Sequence, residues 1–550
     1  MSIAYQQRKF LFIVLLVFAT VWFGSLQYRK LVHPDEGRYA EIPREMLATG
    51  NWLTPRLNGI KYFEKPPLQY WATATAFAAF GLHDWTARLW SAVTGFLGVL
   101  LVCYTGRRMF DDVTGNYAAM VLASAALYVG IGHFNSLDMG VTLFLSGALC
   151  GFLIAQREDS TRDEERLWML FAWGMMALAT LSKGLIGAAL PLLTLIAYCI
   201  VQRDFGIWRR LHLKMGLLLY FALTAPWFIA VSIVNPEFAQ FFFIQEHFAR
   251  YATTVHQRTG PIWYFVPVLL IGMLPWLLVF FAAFGRSWPK DPLPVSFNSR
   301  RFLIVYIVVV FVFFSLSGSK LISYILPLFP AAALLTGWYL TRIRGRTLAW
   351  LLIPMLGISL ALTLYSWSDT KELRGEHVPT ELYDAYLVWL RVALVMLTAG
   401  LAYSVACAFK EKTLHAVVAT ALSALTCAQL AMTGYEALSP VSSAYSIASA
   451  IAPYMKPGVP IYSVHGYDQT LPFYLKHTVV LVEFKDEMDY GLQQEPQLAV
   501  TTLSDFESRW KRHPDALAFM HQETYDLLAR QHFPMQVVAR DPRNIVVKKP

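Results

Sequence analysis

The 550-residue chain is 56% hydrophobic with a mean hydropathy of +0.43, too apolar for a soluble protein of this size and typical of a polytopic membrane protein. Its formal charge of +9 would suit a nucleic-acid binder, but the basic residues sit mostly in short loops between apolar runs. There they serve as topology signals and as contacts to anionic membrane lipids, so no nucleic-acid partner is expected. All five cysteines (Cys103, Cys150, Cys199, Cys407, Cys427) lie within or at the ends of apolar runs, which argues against disulfides and against a cysteine metal site.

The first apolar run, near 9–28, lacks a small-residue cleavage site and ends in Gln27-Tyr28-Arg29-Lys30, so it reads as a retained membrane helix and not a signal peptide. Directly after it, Arg29 to Trp71 packs Asp35, Glu36, Glu41, Glu45 and Glu64 among Arg38, Arg44, Arg56, Lys61 and Lys65, with aromatic rings between them. Pro34 followed by Asp35-Glu36 is a helix start: proline suits the first turn and the acids face the positive end of the helix dipole. On that helix Asp35, Arg38 and Tyr39 fall at i, i+3 and i+4 and share a face. Pro43 is expected to end or kink it, with Gly50 closing the next short helix. Pro66-Pro67 opens a segment from Leu68 to Phe80 capped by Gly81, too short to span and read as interfacial.

Twelve further runs of about 20 apolar residues follow, near 87–106, 113–132, 137–156, 166–182, 184–202, 215–234, 262–284, 302–317, 321–341, 347–366, 385–408 and 413–433, for thirteen spans in all. Basic residues concentrate in alternate loops: Arg8/Lys9, Arg107/Arg108, Arg157 to Arg166, Arg203 to Lys214, Arg286 to Arg301, Arg342 to Arg346 and Lys410/Lys412. The positive-inside rule makes those loops cytoplasmic, places the N-terminus inside and, after an odd number of spans, the C-terminus outside. The outer face then collects the first loop, Asp138, Lys183, Lys320, Tyr324 and the loop 235–261 with Glu246, His247, Arg250, His256 and Arg258. Charges near hydrocarbon cost several kcal/mol unless paired or functional. Each lone lysine is equally explained by snorkelling to the headgroups; together, on one side, these groups predict a polar cavity. Beyond Gly434 the composition turns mixed and polar. Strand-like runs at Pro460–Val464, Thr478–Val482, Gln497–Thr501, Met535–Ala539 and Asn544–Val547 predict an outer α/β domain, read as a lid or stabilising appendage.

The run VHPDEGRYAEIPREMLATGNWLTPRLNG followed by YFEKPPLQYW, with the later turns NSLDMG, LSKG and GSKLISYILP, resembles the bacterial transferases that add 4-amino-4-deoxy-L-arabinose to lipid A. Those are GT-C membrane glycosyltransferases related to the protein O-mannosyltransferases. The resemblance covers the whole chain and implies an α-helical polytopic GT-C fold of about 13 transmembrane helices with a C-terminal α/β periplasmic domain. Residues 1–433 would form the catalytic domain, including a first periplasmic loop at 29–86 and a second large one at 235–261, and 434–550 the outer domain. The implied reaction is inverting transfer of the sugar from undecaprenyl phosphate to a lipid A phosphate, at the periplasmic face of the bacterial inner membrane, by a monomer. The implied partners are the lipid-linked aminosugar, lipid A and membrane lipids.

The chemistry agrees with the residues. A polyprenyl phosphate leaving an anomeric carbon gains charge and needs cations beside it. Lys65, Lys183 and Arg258 are the candidates, with Tyr324 and Lys320 in support. Inverting transfer uses a carboxylate near the acceptor, and Asp35, on the matching acidic motif, is the first candidate; with a phosphate acceptor it would act mainly by positioning. Asp138 is the second catalytic candidate. Asp138 and Glu64 could hold the sugar's ammonium or, with His247, a divalent cation, although no cofactor is required. Glu36, Arg38, Tyr39 and Tyr62 complete the expected substrate contacts. Two other readings compete: a related polyprenyl-phosphate glycosyltransferase with another sugar or acceptor, and a lipid-linked-sugar flippase. A transporter should show internal repeats and broken helices with polar groups at mid-membrane; the one-sided placement of charge and the absence of a visible repeat favour the enzyme.

Overall fold

The computed structural model describes residues 3–249, 260–288, 297–368 and 370–550 apart from 371, 373, 376 and 377; for 3–8 and 245–249 it describes the backbone alone. The expected spans overlap helices or bent pairs of helices, but among the described residues fewer than the thirteen expected are long and apolar enough to cross a membrane. The first ten helices are α1 (Ile3–Phe23), α2 (Asp35–Thr49), α3 (Leu68–Phe80), α4 (Asp84–Met109), α5 (Asp112–Leu122), α6 (Ala126–Gly132), α7 (Leu137–Ala155), α8 (Arg162–Lys183), α9 (Ile186–Gln202) and α10 (Leu213–Val234). Among the described residues eight helices are long and apolar enough to cross a membrane, or ten when each bent pair counts as one span.

Two expected spans are broken. The helices α5 and α6 meet at 67°, and Phe265–Gly272 meets Leu277–Ser287 at 107°. Pro275 lies in the second break, where it removes an N–H and cannot continue the helix. The two breaks complete each other: Ala126 N–H donates to the Leu274 carbonyl at 3.1 Å, and Trp276 Nε1 donates to Ser124 Oγ at 2.9 Å. Backbone groups freed inside a bilayer must find such partners. Broken helices were the expected mark of a transporter, yet neither break, at Ala123-Ser124-Ala125 or Met273-Leu274-Pro275-Trp276, holds an ionisable residue.

Helix α7 is buried along its whole length and forms the centre of the bundle. It packs antiparallel against α8 through small residues; a Cβ on Gly151 would stand 2.9 Å from the Trp168 carbonyl oxygen, so only glycine allows this approach. The first turn of α7 therefore lies beside the last turn of α8, which places Asp138 next to Lys183.

Of the two outcomes expected at Pro43, an end or a kink, the end does not occur: helix α2 runs on to Thr49, with Gly50 closing it at φ +71. Every residue from Glu36 to Met46 is buried. Packing on that scale outweighs the ~3 kcal/mol that a helix-interior proline costs. Its anchor is Glu36, fully buried between two guanidinium groups: Arg29 donates at 3.0 and 3.2 Å and Arg88 at 2.7 and 2.8 Å, with the Val32 and Asn135 N–H groups at 2.9 and 3.0 Å. Burial alone would raise this carboxyl; Arg29 and Arg88 outweigh it and hold the group at about 2. Removing one partner of such a cluster strands buried charge, so Glu36→Gln is expected to lose ~3–5 kcal/mol of stability, read as a lower unfolding midpoint in detergent.

The C-terminal residues form a six-stranded mixed sheet of order β5-β4-β3-β6-β8-β7. Its strands are β3 (Ile461–Val464), β4 (Val480–Val482), β5 (Ala499–Val500), β6 (Leu517–His521), β7 (Gln536–Arg540) and β8 (Asn544–Lys548); β1 (Arg56–Leu57) and β2 (Ile60–Lys61) make a small hairpin in the first loop. Strands β5, β4, β3 and β6 are parallel, and β8 and β7 add antiparallel to the β6 edge. The sequence reading found five of these six strands and missed the central β6. Its Leu-Ala-Phe-Met-His run is poor in β-branched residues, and its burial comes from neighbours distant in sequence.

The C-terminal unit grips the first loop. Asn58 exchanges hydrogen bonds with the Val479 backbone at 2.8 Å each way, and Arg56 pairs with Glu495 at 2.9 and 3.0 Å. Gly37 comes so close that a Cβ there would stand 2.5 Å from the backbone of Gln469 and Thr470. Helix α2 is thus clamped between the membrane helices and the C-terminal unit.

Candidate active site

Six separated stretches of chain converge on one cavity of about 310 Å³. Its ionisable lining is Asp35 and Arg38 from α2, Glu64 and Lys65 from the loop before α3, Asp138 from α7 and Lys183 from α8, with Tyr39, Tyr264, Ser323 and Tyr324 adding hydroxyls. Three carboxylates and three cations thus face the same space, each carboxylate beside a cation. Arg38 Nη1 donates to Asp35 Oδ1 at 2.6 Å. Lys65 Nζ stands 3.7 Å from the Glu64 carboxylate. Lys183 Nζ donates to Asp138 Oδ1 in a close ion pair, and lies 4.5 Å from the centre of the Tyr324 ring.

Local structure explains these placements. Asp35 and Arg38 sit one turn apart at the start of α2, so their pairing follows from helix geometry. The helix N-cap is Pro34 and no side chain caps it, so the Asp35 carboxylate is not spent on the helix end. Its side chain remains 31% exposed, against 8% for Arg38. Asp138 belongs to the first turn of α7 and Lys183 to the last turn of α8, the ends at which helix dipoles favour an anion and a cation respectively. Ser323 Oγ donates to the second Asp138 oxygen at 2.9 Å. This serine and Tyr264 escaped the sequence reading, because a lone hydroxyl in an apolar turn carries no signal.

Other expected site residues lie elsewhere. Glu36 has its oxygens filled by Arg29, Arg88 and two backbone N–H groups, and does not line the cavity. Lys320 is also buried, and donates to the carbonyls of Ser315 and Ser317 at 2.7 Å and of Phe314 at 3.3 Å. With three donors on three carbonyls it closes the end of the helix Ser299–Leu316. Tyr62 is buried beside Arg38 and outside the lining; among the described residues its hydroxyl has no hydrogen-bond partner. Burial pushes the Tyr39 and Tyr62 phenols up, so both stay neutral at physiological pH. Arg258 and the side chain of His247 lie outside the described residues, and with them half of the expected Glu64–His247 metal pair. Among the described residues no three His, Cys, Asp or Glu side chains cluster as metal ligands would.

Such an arrangement can split its own ion pairs around a substrate. A phosphate entering beside Lys65 and Lys183 would take cations already held in a low-dielectric cavity, and the released carboxylates would face the electron-poor partner of that phosphate.

The chain is similar to known proteins in sequence and fold. Residues 8–242 match the family of dolichyl-phosphate-mannose-protein mannosyltransferases, and 447–549 match the aminoarabinose transferase C-terminal domain. The undecaprenyl phosphate-alpha-4-amino-4-deoxy-L-arabinose arabinosyl transferase of Erwinia tasmaniensis is 34% identical over 411 residues, which cover 70% of this chain and 71% of that one. The protein of the same name from Pectobacterium carotovorum is 34% identical over 334 residues, 59% of this chain and 58% of its own length. The crystal structure of ArnT from Cupriavidus metallidurans bound to undecaprenyl phosphate superposes with a TM-score of 0.93 at 39% identity, covering 98% of each chain. The oligosaccharyltransferase of Archaeoglobus fulgidus shares the fold alone, with a TM-score of 0.51 at 12% identity.

Proposed function

The chain belongs to the family of undecaprenyl phosphate-alpha-4-amino-4-deoxy-L-arabinose arabinosyl transferases, and on that premise we propose that it transfers 4-amino-4-deoxy-L-arabinose from undecaprenyl phosphate to a phosphate of lipid A. The observation that carries this reading is the cavity. Its three carboxylate–cation pairs lie in a fold that superposes with a TM-score of 0.93 on a relative whose crystal structure contains undecaprenyl phosphate.

In this reading Lys65 and Lys183 receive the donor phosphate. As the bond from the anomeric carbon to the phosphate oxygen breaks, the electron pair stays with undecaprenyl phosphate, and the two ammonium groups stabilise the growing charge. A lipid A phosphate oxygen forms the new bond from the opposite face, which inverts the anomeric centre. That oxygen is already anionic, so Asp35 has little proton to remove. It orients the acceptor side and faces the positive charge developing on the sugar ring. Asp138, held by Lys183 and Ser323, and Glu64 offer carboxylates to the sugar's ammonium. Tyr39 and Tyr324 supply ring faces to the sugar and prenyl chain. The basic loops mark the cytoplasmic side, so the cavity and residues 434–550 face the periplasm of the bacterial inner membrane. The working unit in this reading is a monomer.

The test supplies purified protein with undecaprenyl-phosphate-linked aminoarabinose and lipid A and follows lipid A by mass spectrometry. Lipid A is expected to gain one aminopentose per modified phosphate. Unchanged lipid A, with the sugar appearing on another acceptor, would reject this acceptor and favour a related polyprenyl-phosphate transferase.

A further inference from the structure

Arg38 is shared. Its Nη1 donates to Asp35 while its Nε makes a 2.5 Å ion contact with Glu487 Oε2, from the short turn Asp486–Met488 after β4 of the C-terminal unit. Glu487 Oε1 in turn accepts from Gln469 Nε2 at 2.7 Å. The side chains of Arg38 and Glu487 are only 8% and 9% exposed. The C-terminal unit therefore reaches, through one guanidinium, the carboxylate that opens onto the cavity.

We propose that Glu487 is a positioning residue for the transfer reaction. It holds Arg38 away from two-pronged pairing with Asp35 and so keeps one Asp35 oxygen available to the substrate. This rests on the function proposed above.

Three observations support the assignment. An arginine facing a lone carboxylate prefers the bidentate geometry, as Arg44 shows further along the same helix: its Nε and Nη2 both reach Glu41 at 2.6 Å. Arg38 instead gives Asp35 one N–H, to Oδ1, and among the described residues Oδ2 receives no hydrogen bond. Second, docking of the C-terminal unit does not depend on Glu487, because Arg56–Glu495, Asn58–Val479 and the Leu31 N–H to Tyr474 Oη contact at 2.7 Å already hold it. Third, Glu487 is an unfavourable residue for mere adhesion. Burial pushes its carboxyl up against the pull of Arg38, and the nearby Glu64 adds to the rise. A buried carboxylate crowded by another is poor glue, but it suits a guanidinium that must stay divided.

The experiment measures kcat and the donor KM of the full-length protein for Glu487→Gln, for Glu495→Gln as the control that breaks another contact between the same two units, and for Arg38→Gln with and without Glu487→Gln. Glu487→Gln is expected to lower kcat about ten- to a hundredfold, as misplacement by an ångström does, with donor KM within about twofold of wild type. Glu495→Gln should leave kcat unchanged, and Glu487→Gln should add nothing once Arg38 is gone. A wild-type kcat in Glu487→Gln, an equal loss in Glu495→Gln, or a full additional loss on Arg38→Gln would each overturn the proposal. Wild-type protein that transfers no aminoarabinose would overturn the function on which it rests; a normal wild type beside an unaffected Glu487→Gln overturns the positioning role alone.

Discussion

Asp35→Asn is expected to lower kcat by two orders of magnitude or more while the protein folds, melts near wild type and still binds the lipid donor. Asparagine keeps the size of the side chain and can still accept from Arg38 Nη1, now 2.6 Å from Asp35 Oδ1, but it carries no charge. The competing explanation is that Asp35 only starts α2. With Pro34 as N-cap and no side-chain cap bond, that role reduces to the helix dipole, under ~1 kcal/mol. A dipole role predicts a small change in stability and none in turnover. A carboxylate that orients the acceptor and faces the developing ring charge predicts a loss on the ~10²–10⁴ scale of such groups. Turnover of purified wild type and variant under saturating donor separates the two. Retention of more than a few tens of per cent of activity would remove Asp35 from the reaction, make Asp138 the carboxylate to examine next, and show that an anionic acceptor proceeds without a base.

Much of this site was legible because its residues belong to local punctuation. Pro66-Pro67 and Gly81 bracket α3 to the residue, and the i, i+3 spacing of Asp35 and Arg38 gave their pairing before any contact was known. Asp138, Lys183 and Tyr324 stood out as polar groups at the ends of apolar runs. Where local rules failed, burial had overruled them. Pro43 lies inside a helix whose flanks are wholly buried, and Glu36 and Lys320 looked like substrate contacts until their partners, Arg88 of α4 and the carbonyls of 314–317, appeared. The breaks at 123–125 and 273–276 depend on each other, 150 positions apart, and neither is visible without its mate. Glu487 was the least legible of all. Nothing in Lys485-Asp486-Glu487 distinguishes it from a solvated turn, and only the approach of Gly37 to Gln469 brings it to Arg38.

Lys183→Ala is expected to produce the next largest loss, about a hundredfold in turnover and greater than that of Lys65→Ala. Snorkelling to the headgroups would make Lys183 dispensable, but its side chain is only 14% exposed and its ammonium lies between Asp138 and the Tyr324 ring. Alanine therefore does two things. It removes a cation from the leaving phosphate, an interaction that strengthens as the bond breaks and is worth a few kcal/mol in a water-poor site. It also leaves the Asp138 carboxylate, on a side chain 12% exposed, with Ser323 as its remaining side-chain donor among the described residues, so that negative charge now faces the incoming phosphate. These contributions come apart in the double variant Lys183→Ala/Asp138→Asn. Neutralising Asp138 should return the melting temperature toward wild type, because no buried carboxylate is left unpaired. Turnover should stay low, because the cation is still missing. Recovery of turnover together with stability would mean that Lys183 serves only to neutralise Asp138, and the leaving phosphate would then have to be met by Lys65 without it.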